Sequence, residues 1–467
     1  MTNNNDLDFG KTDIKILYRK FLYPTILGMV STIIVIITDG FFIGKFIGSD
    51  GLAAVNIASP LFDLVSGFGI MAGLGCSIIS AVYISRGKQK LANVFFTQIT
   101  IFSVILFIIV SFILCLNADA ITLLLGSSPK LLSLSSTYIT ILSVSFPFFL
   151  LNNIGLFMIR LDRSPKYAML CTMSGAVFNI IGDYFMVGVY DMGVQGAAIA
   201  TSLSFFINSI MVVVYLLFKA NNLKFCKISM DFKGLMYSLK NIYRMCKIGF
   251  SGMLNQLSIA LMALTGNYIF MKYLHEDGVA AFSVLCYYFP IVFMINNAIA
   301  QSAQPIISYN LGGKQMDRVK QAFHLSLRVA LGFGVFTTLL MIFAAKPMTG
   351  LFLTEDAPAF QYAIYGMPYF AIGFIFFALN IVYIGYLQST GEDMKSNIIT
   401  LIRGYILLLV FFIFLPRIMG NKGIWLAMPL AEGLTTLLIF LSEIVGKRRK
   451  GVNMIRKQGT GYSGVGR

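Results

Sequence analysis

The chain has 467 residues, 57% of them hydrophobic and only 12% charged, with a mean hydropathy of +0.79. Ordinary soluble proteins carry about 25% charged residues, so a soluble enzyme or binding module is excluded and the chain reads as an integral membrane protein. The formal charge of +16 would suit a nucleic-acid partner only if the basic residues gathered on one binding surface, and their placement between apolar runs argues against that.

Taken in chain order, the apolar runs between polar punctuation predict twelve spans: 20–44, 51–84, 91–117, 130–159, 167–189 and 193–218, then 241–271, 278–309, 319–345, 359–389, 397–416 and 421–446. Most are long enough to cross a bilayer as α-helices, whereas barrel strands would be segments of about 10 alternating residues. The expected fold class is therefore all-α integral membrane, with two pseudo-symmetric six-helix lobes around a central cavity. The polar first twenty residues show no small-residue cleavage site after the first span, so that span is expected to stay in the membrane.

An even number of spans puts both termini on one side. With the N-terminus inside, 30 Lys and Arg residues fall on the cytoplasmic side, and only Lys45, Lys130, Lys272, Lys346, Arg417 and Lys422 fall on the other. This is the positive-inside pattern, and it places both termini in the cytoplasm of a plasma (inner) membrane protein. The basic central loop and the tail from residue 446 read as topology determinants that also touch anionic lipid, so membrane lipid is an expected partner and nucleic acid is not. The six cysteines lack metal-site or disulfide spacing and read as packing residues.

The chain also matches itself. "SDGLAAV" at 49–55 pairs with "EDGVAAF" at 276–282, "RGKQK" at 86–90 with "GGKQM" at 312–316, and "MGVQGAAIA" from 192 with "MGNKGIWLA" from 419. Such a tandem repeat predicts an N-lobe (1–220), a cytoplasmic linker (221–240) in which "KFCKISMDFKGL" forms a short surface helix, a C-lobe (241–447) and a basic tail (448–467).

The repeat supplies an internal control. Asp39 lies opposite Gly266, Asp183 opposite Val410 and Asn179 opposite Ile406, so the fold itself does not require these polar groups. A charged residue inside a membrane span costs roughly 2.5–3.5 kcal/mol on insertion scales and marks a functional site by default. Asn179 and Asp183, four apart, share one helical face. With Asp39, Thr201 and Tyr138 they would gather carboxylate, amide, hydroxyl and phenol oxygens suited to a proton or to a hard cation such as Na⁺, and the residues do not choose between the two. Asp63, Asn153, Met173, Asn255, Gln256 and Tyr288 read as lining of a substrate cavity. Arg403, about one turn into its helix, is expected to snorkel to water. His275 and His324 lie in or near loops, so no histidine metal constellation or catalytic grouping is visible.

These motifs, "TDGFFIGKFIGSDGLAAVNIASP", "FNIIGDYF", "GVQGAAIATSLS" and "SYNLGGKQMDRVKQAF", in this order over the whole chain resemble the MATE (multidrug and toxic compound extrusion) transporters, and among them the prokaryotic DinF-like branch. The resemblance implies an N-lobe cation site at Asp39, Asn179, Asp183 and Thr201 with Tyr138 close by. The NorM-like branch carries acidic C-lobe residues, where this chain has the uncharged Gln256 and Asn380. The implied activity is antiport: H⁺ or Na⁺ enters and an amphipathic, usually cationic, organic compound leaves, with no cofactor and a functional monomer. The competing readings are a lipid-linked oligosaccharide flippase of the same superfamily, a polytopic membrane enzyme and a channel.

Overall fold

A chain buried in lipid must satisfy its peptide groups internally. Among the described residues, 7–228 and 231–459 of this computed structural model, every regular element is helical. The first half runs α1 (Ile14–Phe46), α2 (Ser49–Ser85), α3 (Gln89–Leu116), the short α4 (Ala118–Leu124), α5 (Leu132–Val144), α6 (Phe146–Leu161), α7 (Pro165–Asp183) with a π-helical continuation (Tyr184–Val189), and α8 (Gly193–Phe218). The second half repeats that order. It runs α9 (Phe232–Gly312), α10 (Met316–Phe343), the short α11 (Ala345–Gly350), α12 (Pro358–Ala371), α13 (Gly373–Thr390), α14 (Asp393–Leu401), a second π segment (Ile402–Leu407), α15 (Leu408–Met419) and α16 (Asn421–Gly459). Among the described residues, ten helices are long and apolar enough to cross a membrane, or eleven if the bent pair α5 and α6 forms one span.

The 81 residues of α9 would measure about 120 Å as a straight rod, several times the apolar thickness of a bilayer. His275, with φ 56° and ψ −151°, breaks the helix. Beyond the break the chain turns back, so that Phe282 stacks on Phe270 at 4.6 Å and crowds Gly266, where a Cβ would lie 2.3 Å from the ring. The two arms therefore form a helical hairpin. The 50° bend between α5 and α6 falls where Pro147 opens α6, because proline has no N–H to donate back into the preceding turn.

Outward-facing residues suit lipid: Ile105, Ile108, Ile109, Phe112 and Ile113 on α3 are exposed, as are Ile34, Ile36 and Ile37 on α1. Inward, small residues let helices from the two halves approach closely. A Cβ on Gly75 of α2 would lie 1.9 Å from the Met245 carbonyl oxygen, and a Cβ on Gly249 of α9 would lie 1.9 Å from that of Met71.

A second link between the halves precedes α1. Arg318 Nη2 donates to the carbonyls of Phe9 (2.8 Å) and Thr12 (2.6 Å), and Asn310 Nδ2 donates to Phe9 (3.0 Å). The Phe9 ring sits between Phe21 of α1 and Tyr309 of α9, at 5.4 and 5.3 Å.

The linker differs from expectation. Residues 223–228 are not helical, because their backbone donors are taken by side chains of α3: Lys224 N–H bonds Asn93 Oδ1 at 3.3 Å and Cys226 N–H bonds Thr97 Oγ1 at 3.1 Å. Helix begins only at Phe232, as the leading end of α9. Of the basic tail expected at 448–467, the backbone of α16 continues to Gly459 and the remainder lies outside the described residues.

Candidate functional site

Packing of α1 on α7, and of α7 on α8, rests on small residues facing their neighbours. A Cβ on Gly28 of α1 would touch Thr172 of α7 at 2.8 Å, and a Cβ on Gly182 of α7 would touch Ala200 of α8 at 2.8 Å. Close helices carry their polar side chains into one place. Asn179 and Asp183 are both fully buried on the inner face of α7, Asp39 and Thr201 are half-buried on α1 and α8, and Tyr138 is buried on α5.

Asn179 Nδ2 donates to Thr201 Oγ1 at 3.4 Å. The carboxyls of Asp39 and Asp183 lie within hydrogen-bonding reach of each other, the Asn179 side chain reaches Asp39, and Tyr138 is close enough to feel the charge of both acids. One Asp39 oxygen, both Asp183 oxygens and Asn179 Oδ1 are buried without a protein donor. Two ionised carboxylates are acceptors only. Such an arrangement suits one shared proton, or a hard cation held by carboxylate, amide and hydroxyl oxygens. Among the described residues no group of three or more His, Cys, Asp or Glu is placed to hold a metal ion.

Immediately after Asp183 the helix changes from α to π for Tyr184–Val189. Such π segments concentrate at functional sites, and this one marks where α7 leaves regular geometry beside its buried acid.

Of the expected cavity residues, Asp63 Oδ1 accepts from Gln256 Nε2 at 3.3 Å, joining α2 to the first arm of α9. Asn255 is buried and bonds Asn297 Oδ1 at 3.4 Å across the α9 hairpin. The other three expected cavity residues are placed as follows. Met173 is exposed on α7, as are Leu170, Val177 and Ile181. Tyr288 OH donates to the Met348 carbonyl of α11 at 3.0 Å. Asn153 turns its amide onto the Phe149 carbonyl of its own helix at 3.0 Å, with its Cβ against Gly69.

Arg403 does not snorkel. It is 2% exposed, with Nη1 on Glu432 Oε1 at 3.1 Å and Nη2 on Asn255 Oδ1, since a buried carboxylate and an amide oxygen give it neutralising partners within the lobe. Sequence reading also missed Arg160, a buried guanidinium of α6 that donates to Gln301 Oε1 at 3.0 Å. Gln301 lines a cavity of about 30 Å³ whose walls mix amides and hydroxyls, Asn255, Asn297 and Gln388 among them, with apolar groups such as Ile70 and Ile381. The amides 301, 304 and 388 sit in apolar runs at helical spacing, and that was their available signal.

The MatE family model matches the chain twice, over residues 24–185 and 253–414, at the spacing of the internal repeat. The multidrug export protein MepA of Staphylococcus aureus is 23% identical over 443 residues, which is 93% of this chain and 94% of that protein. Its namesake in Staphylococcus saprophyticus is 23% identical over 425 residues, 90% of this chain and 91% of that protein.

Among solved structures, an outward-facing multidrug resistance MATE family transporter of the MOP superfamily matches with a TM-score of 0.84 at 20% identity, covering 97% of this chain and 99% of that one. A MOP superfamily transporter from Pyrococcus furiosus, for which reversed binding-pocket polarity suggests a different function, matches at 0.85 and 21%, covering 96% and 98%. Both share the two-lobed fold, and the family match over both halves carries the assignment: the chain belongs to the MatE family of membrane transporters, and it is not an enzyme.

Proposed function

We propose that this protein is a secondary active multidrug exporter. H⁺ or Na⁺ enters through the N-lobe site, and amphipathic, usually cationic, organic compounds leave by alternating access between the lobes. The observation that carries the reading is the contact of Asp39 with Asp183, in which buried carboxyl oxygens have no protein donor. The names of the Staphylococcus relatives, multidrug export proteins, support the substrate class.

In this reading Asp39, Asp183, Asn179 and Thr201 hold the ion, and Tyr138 closes the site beside them. Ion binding there biases α1 between two arrangements that differ in affinity for cargo, which is what coupling requires. Asp63, bonded across the lobes to Gln256, offers a carboxylate to a cationic cargo. Both termini lie in the cytoplasm and one chain suffices, because its two lobes enclose the path between them.

The test is uptake of a fluorescent cationic dye into everted membrane vesicles under an imposed H⁺ or Na⁺ gradient, with wild type and Asp39→Asn side by side. Gradient-driven uptake that disappears in the variant establishes antiport through Asp39 and names the ion. Uptake unchanged in the variant refutes the site.

A further inference from the structure

The acid of the second lobe is treated differently from those of the first. Asp183 has no protein donor on either oxygen, whereas Glu432 of α16 has one on each: Arg403 Nη1 at 3.1 Å on Oε1 and Asn380 Nδ2 at 2.7 Å on Oε2. Asn380 is itself fixed by Thr436, whose hydroxyl donates to Asn380 Oδ1 at 2.9 Å. The guanidinium is also bonded to Asn255 Oδ1 of α9, and its Cζ lies 5.0 Å from the centroid of Phe377 on α13. A carboxylate oxygen, an amide oxygen and an aromatic face, converging from three helices, are the surroundings that bind a monovalent cation. Arg403 reaches them from the second π segment, Ile402–Leu407.

We infer that Arg403 is a tethered cation: its guanidinium permanently fills a C-lobe cage built by Glu432, Asn255 and Phe377, a cage that would otherwise take a small monovalent cation, of guanidinium or alkylammonium type, from solution. The cage does not depend on the transport activity proposed above. Its consequence for coupling does rest on that reading: the C-lobe centre carries its own counter-ion, so ion dependence is confined to the N-lobe acids.

A merely structural ion pair and a tethered cation differ in one measurable respect, rescue by a free cation. The full chain in detergent is unfolded thermally as Arg403→Ala, as Arg403→Ala/Glu432→Gln, and as wild type. Each is titrated with guanidinium or methylguanidinium chloride at concentrations far below denaturing, with choline chloride matching ionic strength. Arg403→Ala is expected to melt several degrees below wild type and to regain much of that loss saturably with guanidinium but not with choline. Wild type and the double variant should not respond, and the double variant, with no buried charge left uncompensated, should melt above the single.

Arg403→Ala unmoved by either small cation, or a guanidinium response equal in the double variant, overturns the inference. If Arg403→Ala cannot be purified without added cation, its recovery in guanidinium and the cation-independent folding of the double variant support the cage, and a double variant that also fails to fold overturns it. None of these outcomes depends on transport, so failure of the antiport reading would be recognised separately.

Discussion

Asp183 has both oxygens buried without a donor beside a second carboxyl, so Asp183→Asn removes a buried acid without leaving a partner charge unpaired by the protein. The expected outcome is a loss of gradient-driven dye accumulation of at least about tenfold, with a melting temperature equal to or above wild type, because deleting an unfavourable buried charge relieves desolvation. Vesicle uptake and thermal unfolding of the same preparation check both halves of that statement. Thr201→Val keeps the shape of the side chain but takes away the acceptor for Asn179 Nδ2. One neutral hydrogen bond is worth about 1 kcal/mol, so the ion concentration for half-maximal uptake should rise roughly fivefold.

These residues were legible because acids and amides stand out in apolar runs, and because a spacing of four puts Asn179 and Asp183 on one face. Arg403 was misread for an equally physical reason: its partners Glu432 and Asn255 lie 29 and 148 residues away in sequence, and a position near a helix end says nothing about them.

Helices set how the site moves and where the halves touch. Gly40, one residue after Asp39, has nothing within 4 Å of an added Cβ, so packing does not demand glycine there. Gly40→Ala should stabilise α1 by about 0.5–1 kcal/mol through lost unfolded-chain and bending freedom, and it should slow transport if α1 bends at Asp39. A raised melting temperature with reduced dye uptake is the expected pair of results, and unaltered uptake would remove bending at Gly40 from the mechanism.

Gly249 is the opposite case. A Cβ there would lie 1.9 Å from the Met71 carbonyl oxygen, and backbone cannot step aside as a side-chain tip can. Gly249→Ala must part α2 from α9, at a cost of about 1–3 kcal/mol of overpacking, readable as a lowered melting temperature. The helices themselves were legible as apolar runs. The breaks within them were not all so: the reversal at His275 was read as a short loop between spans, yet it is a single residue in the left-handed region, and the π segments have no sequence signature in this chain.

At the scale of the molecule, the strap formed by Phe9, Arg318 and Asn310 joins the start of the first half to the second. Alternating access requires such links to break in one of the two states. Arg318→Gln removes the donors to Phe9 and Thr12, so the state open on the strap's side should become more populated. A single cysteine placed beside the 30 Å³ cavity should then react several-fold faster with an impermeant thiol reagent added from the strap's side, and unchanged labelling would show that the strap does not hold the lobes together.

By itself the sequence determined that the protein lives in a membrane, that it is helical and internally duplicated, and that its first half carries acids the duplication does not require. These are properties of composition, period and repeat, which need no knowledge of distant contacts. Tertiary structure decided which polar groups lie together: Asp39 beside Asp183, Arg403 against Glu432 and Tyr288 on a backbone carbonyl. The physical reason is that a buried polar group in a bilayer takes the nearest available partner, and nearness among helices is set by packing between segments far apart in the chain.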